Sequence, residues 1–127
     1  MMAAQQNRER ATSASCKPED RPIDLVHLSR MTFGDRSLEG EVLQLFERQA
    51  ALLMARMIAG NGAQAALLAH TINGSARGIG AWRVAAAAAT VEAMAGSDAP
   101  ARHASILELG AAVEEARAII GELLRAH

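Results

Sequence analysis

From about residue 23 onward the apolar residues recur at intervals of three and four, the spacing of one helix face, and no segment alternates as a half-buried strand would. Pro22-Ile23-Asp24 reads as a helix entry, with Asp24 as N-cap and Ile23 placed to staple against Leu28; the helix it opens is short and ends near Gly34. Asp35 or Ser37 then caps a longer helix on which Leu38, Val42, Leu45, Leu52 and Leu53, with Phe46 beside them, form the expected apolar stripe to about Ala59. Gly60-Asn61-Gly62 stops it. A third helix is expected to run to about Gly80, where Gly78 and Gly80 weaken it and allow a bend. The fourth, from about Ala81 to Ala95, sets Val84, Ala88, Val91 and Ala95 on one stripe, and its run Ala85 to Ala89 suits close packing between helices. Gly96-Ser97-Asp98 followed by Pro100 is a stop and a restart. The last helix carries the cleanest seam of the chain, Ile106, Leu109, Val113, Ala116, Ile120 and Leu123.

Four long apolar stripes joined by short turns predict an all-α fold, an antiparallel four-helix bundle capped by the short first helix. The segment before it, interrupted by Pro18 and rich in charged residues, has no apolar pattern, so 1–22 reads as a flexible polar leader and 23–127 as the folded domain.

Composition narrows the function classes. A chain of 127 residues suits one domain, and a net charge of −1 gives no electrostatic reason to expect nucleic acid or an anionic membrane as partner. Two Phe, one Trp and no Tyr leave no platform for stacking single-stranded bases. The lone Cys16 cannot form an intramolecular disulfide, the leader lacks the apolar stretch of a signal peptide, and no run of apolar residues has the length of a membrane span. These features read as a soluble cytoplasmic protein.

The candidate chemistry lies in the third helix. At about 100° per residue, His70, Asn73, Gly74, Arg77, Gly78 and Ala81 fall on one side, and Leu68, Ile72, Ser75, Ala76 and Ile79 on the other, so His70 is expected to point away from the core. Glycines one and two turns beyond it sacrifice roughly 1 kcal/mol each of helix propensity relative to alanine, which makes sense where another molecule must approach closely. An imidazole, with an ordinary pKa of about 6.5, is a good nucleophile near neutral pH, and a phosphoryl group delivered by a partner protein is a suitable electrophile.

The segment His70-Thr71-Ile72-Asn73-Gly74-Ser75 followed by Gly80-Ala81 resembles the motif of the histidine-phosphotransfer (HPt) domains of bacterial phosphorelays, roughly His-x-x-Lys-Gly-Ser with a later Gly-Ala pair. His70, Gly74, Ser75, Gly80 and Ala81 match, and Asn73 stands where the family usually has lysine. The resemblance covers about residues 23 to 125 and implies that His70 is the phosphoacceptor, taking a phosphoryl group from a receiver-domain aspartate and passing it to another receiver. It implies receiver domains or a hybrid histidine kinase as partners, Mg²⁺ held by the receiver rather than by this chain, and a monomer. On this reading Asn73 and Arg77 assist at the phosphoryl group, and Ala66, Leu67, Gly74 and Gly78 form the docking face. A hydrogen-bond acceptor that fixes the histidine tautomer is expected, but the sequence does not identify it.

The remaining features have plainer readings. Ser75 is expected to let helices approach and to bond a backbone carbonyl one turn back. Trp82 is either a core plug or a cover over one end of the bundle. His27, His103 and His127 are isolated, with no ligand partners at metal spacing, and the glycine-rich segment lacks the ending of a phosphate-binding loop. An alternative to the carrier is a bundle that binds receivers or a kinase without accepting phosphate, which Asn73 keeps open; a helical dimerisation module is more remote.

Overall fold

The computed structural model describes residues 21–126 and contains five helices and no strand among them. They are α1 (Leu25–Met31), α2 (Arg36–Ala59), α3 (Gly62–Ile79), α4 (Trp82–Ala93) and α5 (Ala99–Ala126). The expected leader lies outside the described residues apart from Arg21 and Pro22, and so does His127.

The helix entries follow from short polar side chains. The carboxylates of Asp24 and Asp35 accept from the backbone N–H of His27 and Leu38, both at 3.1 Å, the Asn61 carbonyl oxygen accepts from Gln64 at 2.9 Å, and Asp98 accepts from Ala101 at 2.9 Å. Asp35 rather than Ser37 is therefore the cap of α2. The first helix ends at Met31, earlier than expected, because Thr32 bonds back to the Leu28 carbonyl at 2.8 Å and Phe33 and Gly34 both adopt positive φ.

α3 packs against α2 and α4, α5 packs against the same two, and α1 lies on α3. The centre is filled by Leu28, Leu43, Met57, Ile72, Val84, Leu109, Val113 and Ile120, all essentially inaccessible to solvent. Small residues Ala69, Ala76, Ala88 and Ala116 are fully buried between them and let the backbones approach. Within the alanine run of α4, Ala85 and Ala88 do this packing while Ala86 and Ala89 are exposed.

The α5 seam is as expected, with Leu109, Val113, Ala116 and Ile120 buried and Ile106 and Leu123 packed at its edge. The α2 stripe is not. Leu43, Phe46, Ala50, Leu53, Met54 and Met57 are buried, whereas Leu45 and Leu52 are 60% and 53% exposed. Two apolar seams run along this helix. Leu43-Phe46-Ala50-Leu53-Met57 is apolar at every position, whereas the seam through Leu38, Val42, Leu45 and Leu52 also carries Gln49 and Arg56, and the unbroken one faces the core. Ala95, expected on the α4 stripe, lies beyond the helix end and is half-buried.

The turn between α3 and α4 is tied to α1. Gly80 closes α3 in the left-handed conformation, φ 80°, and a Cβ there would lie 2.9 Å from both the Cβ and the carbonyl oxygen of Asp24. Asp24 N–H donates to the Gly80 carbonyl at 2.9 Å. Trp82 resolves as a cover over this junction: it is half-buried, its indole donates to Asp24 at 2.9 Å, and its ring meets that of His27 at 4.8 Å. The indole bond chiefly, with the His27 backbone N–H and the His27 charge, holds the Asp24 carboxyl below its ordinary pKa, although burial opposes the shift. His27 also donates from Nε2 to the Arg77 carbonyl at 2.9 Å. No described helix is long and apolar enough to cross a membrane.

Candidate functional site

His70 lies mid-way along α3 with its side chain 79% exposed, on the face opposite Ile72, Ala76 and Ile79, which are buried. Its ring has one partner among the described residues. Nδ1 lies 2.9 Å from Oε1 of Glu92, in the last turn of α4, and the Glu92 side chain is 29% exposed. In the neutral ring this contact requires the proton on Nδ1, donated to the carboxylate, so the lone pair stands on Nε2. The second oxygen of Glu92 accepts from the Asn73 amide, Nδ2 to Oε2 at 3.3 Å. Two residues one turn apart on α3 thus hold one carboxylate from α4.

Around His70 the surface is open. An added Cβ at Gly74 or Gly78 would meet nothing within 4 Å, Leu67 is 72% exposed, and Ala66 and Gly78 are half-buried. Arg77 is exposed, and its backbone carbonyl accepts from the His27 ring at 2.9 Å and from Gly80 N–H at 3.4 Å. Asn73 is half-buried and turned to Glu92, with its Oδ1 buried and unpartnered.

Two expectations need correction. Ala81, placed on the His70 face by helical periodicity, is fully buried, because α3 ends at Ile79 and the periodicity stops there. Ser75 does not bond back to its own helix; its hydroxyl donates to the Gln49 side chain on α2 at 2.8 Å. Glu92 is the residue that sequence reasoning missed. It is the only acid on α4, directly after the core residue Val91, and that is all the sequence offers; its distance to His70 follows from how two helices pack.

Among the described residues no group of three or more His, Cys, Asp or Glu side chains could hold a metal ion. The arrangement therefore consists of an exposed imidazole whose tautomer is set by a carboxylate, on a glycine-opened face. The family model for the Hpt domain matches residues 41–124. The chain belongs to the Hpt-domain family. Comparisons with curated proteins and with solved structures found no match. Hpt domains serve phosphotransfer in two-component signalling and interact with receiver domains and histidine kinases. In this Hpt domain the matched span begins within α2 and includes His70, Asn73 and Glu92, while α1 and the Asp24 latch precede it.

Proposed function

We propose that this protein is a phosphorelay carrier, accepting a phosphoryl group on His70 from a receiver-domain aspartate and passing it to another receiver, or linking a hybrid histidine kinase to a response regulator. The supporting observation is the 2.9 Å contact between His70 Nδ1 and Glu92 on a side chain otherwise 79% exposed. In the neutral ring it leaves Nε2 with the lone pair of a nucleophile, on a side chain that faces solvent. Attack of this lone pair on phosphorus forms the Nε2–P bond as the aspartyl O–P bond breaks, and the aspartate carboxylate departs with the electron pair. The ring keeps its Nδ1 proton and gains positive charge, which the Glu92 carboxylate offsets. Transfer onward reverses these steps.

The receiver docks over Gly74 and Gly78, where no side chain obstructs it, and against Ala66 and the exposed Leu67. Leu45 and Leu52, exposed on the α2 flank whose Gln49 bonds Ser75 of α3, offer further apolar contacts to the receiver. Mg²⁺ held by the receiver and Arg77 on the His70 face supply positive charge to the phosphoryl oxygens. The four long helices form the antiparallel bundle of this reading, with α1 over one end, and the carrier is a cytoplasmic monomer.

The test incubates the protein with phosphorylated receivers from the same genome, followed by intact mass. The expected product is one added phosphoryl group, stable in base and labile in acid, absent from His70→Gln, which keeps the wild-type circular dichroism because the side chain is exposed. Labelling of the variant equal to wild type moves the acceptor to another histidine. Receiver binding without labelling of wild type makes the protein an interaction module instead.

A further inference from the structure

We infer that Asn73 is a positioning residue: its amide fixes the Glu92 carboxylate in the setting that keeps the proton on Nδ1 of His70. The consequence for transfer rests on His70 being the phosphoacceptor, whereas the effect on the ring proton does not.

Three observations carry this. The first is the division of Glu92 between two donors: His70 takes Oε1 at 2.9 Å and Asn73 takes Oε2 at 3.3 Å. A glutamate held through one oxygen alone keeps rotational freedom about its side chain, and at 29% exposure it has water to turn towards. Held through both, it has one orientation. The second is the setting of the amide. The opposite setting would put Oδ1, an acceptor, against a carboxylate, so the charge of Glu92 decides which end of Asn73 faces it. The third is that Asn73 Oδ1 is buried with no partner. An unsatisfied buried acceptor destabilises, and alanine at this helical position would avoid it, so folding stability does not explain an asparagine here. Its use is found in Glu92.

The chemistry follows from which nitrogen carries the proton. If Glu92 swings away, the proton is free to move to Nε2, and the attacking atom loses its lone pair. Asn73, expected to assist at the phosphoryl group itself, has its amide engaged with the Glu92 carboxylate.

The experiment records the His70 ring nitrogens by ¹⁵N NMR on the full chain, with the imidazole neutral, at about pH 9. Wild type should show a protonated Nδ1 and an unprotonated Nε2. Asn73→Ala should shift this population towards protonated Nε2, slow transfer from a phosphorylated receiver roughly three- to tenfold, the loss expected for one hydrogen bond, and melt no lower than wild type. Asn73→Asp, which keeps the shape and replaces the donor with a repelling carboxylate, should shift the ring at least as far and serves if the alanine variant does not fold. Ser75→Ala, on the same helix but bonded to Gln49, should leave the ring unchanged. A His70 tautomer unaltered in both Asn73 variants overturns the inference. A shifted tautomer in a protein that accepts no phosphoryl group on His70 upholds the positioning and removes the proposed carrier function.

Discussion

Gly74→Leu should raise stability and abolish function, and the two effects can be sized separately. Gly74 is exposed in the interior of α3, and a Cβ there would meet nothing within 4 Å, so the substitution introduces no clash within the domain. Leucine exceeds glycine in helix propensity by about 0.7 kcal/mol. For a domain of this size that corresponds to a rise of roughly 2–4 °C in melting temperature. The same side chain stands one turn from His70 and about 40° around the helix, in the space through which a receiver must approach Nε2. Receiver affinity should fall by at least about tenfold, equivalent to about 1.4 kcal/mol, and transfer should fall below detection. Thermal melting, receiver titration and phosphotransfer on one preparation give all three values. A melting temperature several degrees lower would show that Gly74 is packed rather than open. Normal transfer by a stable variant would show that the receiver docks elsewhere, and either result refutes the reasoning.

Two further outcomes are expected. Glu92→Gln keeps an acceptor for Nδ1–H but removes the charge, so transfer should slow roughly ten- to a hundredfold, the worth of a charge-assisted hydrogen bond of about 1.5–3 kcal/mol, with little change in receiver binding; initial rates and titrations at matched receiver phosphorylation separate the two. Trp82→Phe removes the indole donor that chiefly holds the Asp24 carboxyl below its ordinary pKa. A depressed carboxyl stabilises the fold above its unfolded pKa, near 3.8, and that contribution is lost as pH falls through the folded value. The variant should therefore melt below wild type at neutral pH and the gap should narrow in strong acid; an equal gap at both pH values rules out the Asp24 linkage.

The parts of the molecule that depend on local rules were legible in the sequence. Asp24 and Asp35 act within three residues of themselves, the latter with Ser37 as a rival, and the α5 seam has no competitor, so these could be read directly, whereas Asn61 and Asp98 read as stops and emerge as caps in the structure. The exposure of His70 followed from its angle to Ile72 and Ile79. What was not legible depends on pairs of helices. Glu92 meets His70 across 22 residues and Gln49 meets Ser75 across 26, and nothing in either helix alone specifies the rotation that brings them together. The orientation of α2 is weakly marked for a related reason: Leu45 and Leu52 satisfy helical spacing as well as Leu43 and Met57 do, and within the helix Gln49 and Arg56 alone tell the two seams apart. Trp82 had no preferred reading until Asp24 and His27 were seen beside it.

The doubled seam of α2 has a consequence for uniqueness. A helix with leucines on two sides has two rotational settings that bury apolar surface, differing by about a quarter to a third of a turn, and hydrophobic burial alone separates them poorly. The polar positions of the exposed seam act as the key to the lock: Arg56 stays at the surface, and Gln49 finds its hydroxyl on Ser75 only in the observed setting. Their contribution to total stability is small, but they widen the energy gap between the correct rotamer of the whole helix and its nearest rival. The motif serine is thus an indexing pin for the scaffold, keeping α2 in register beneath the face on which the histidine stands.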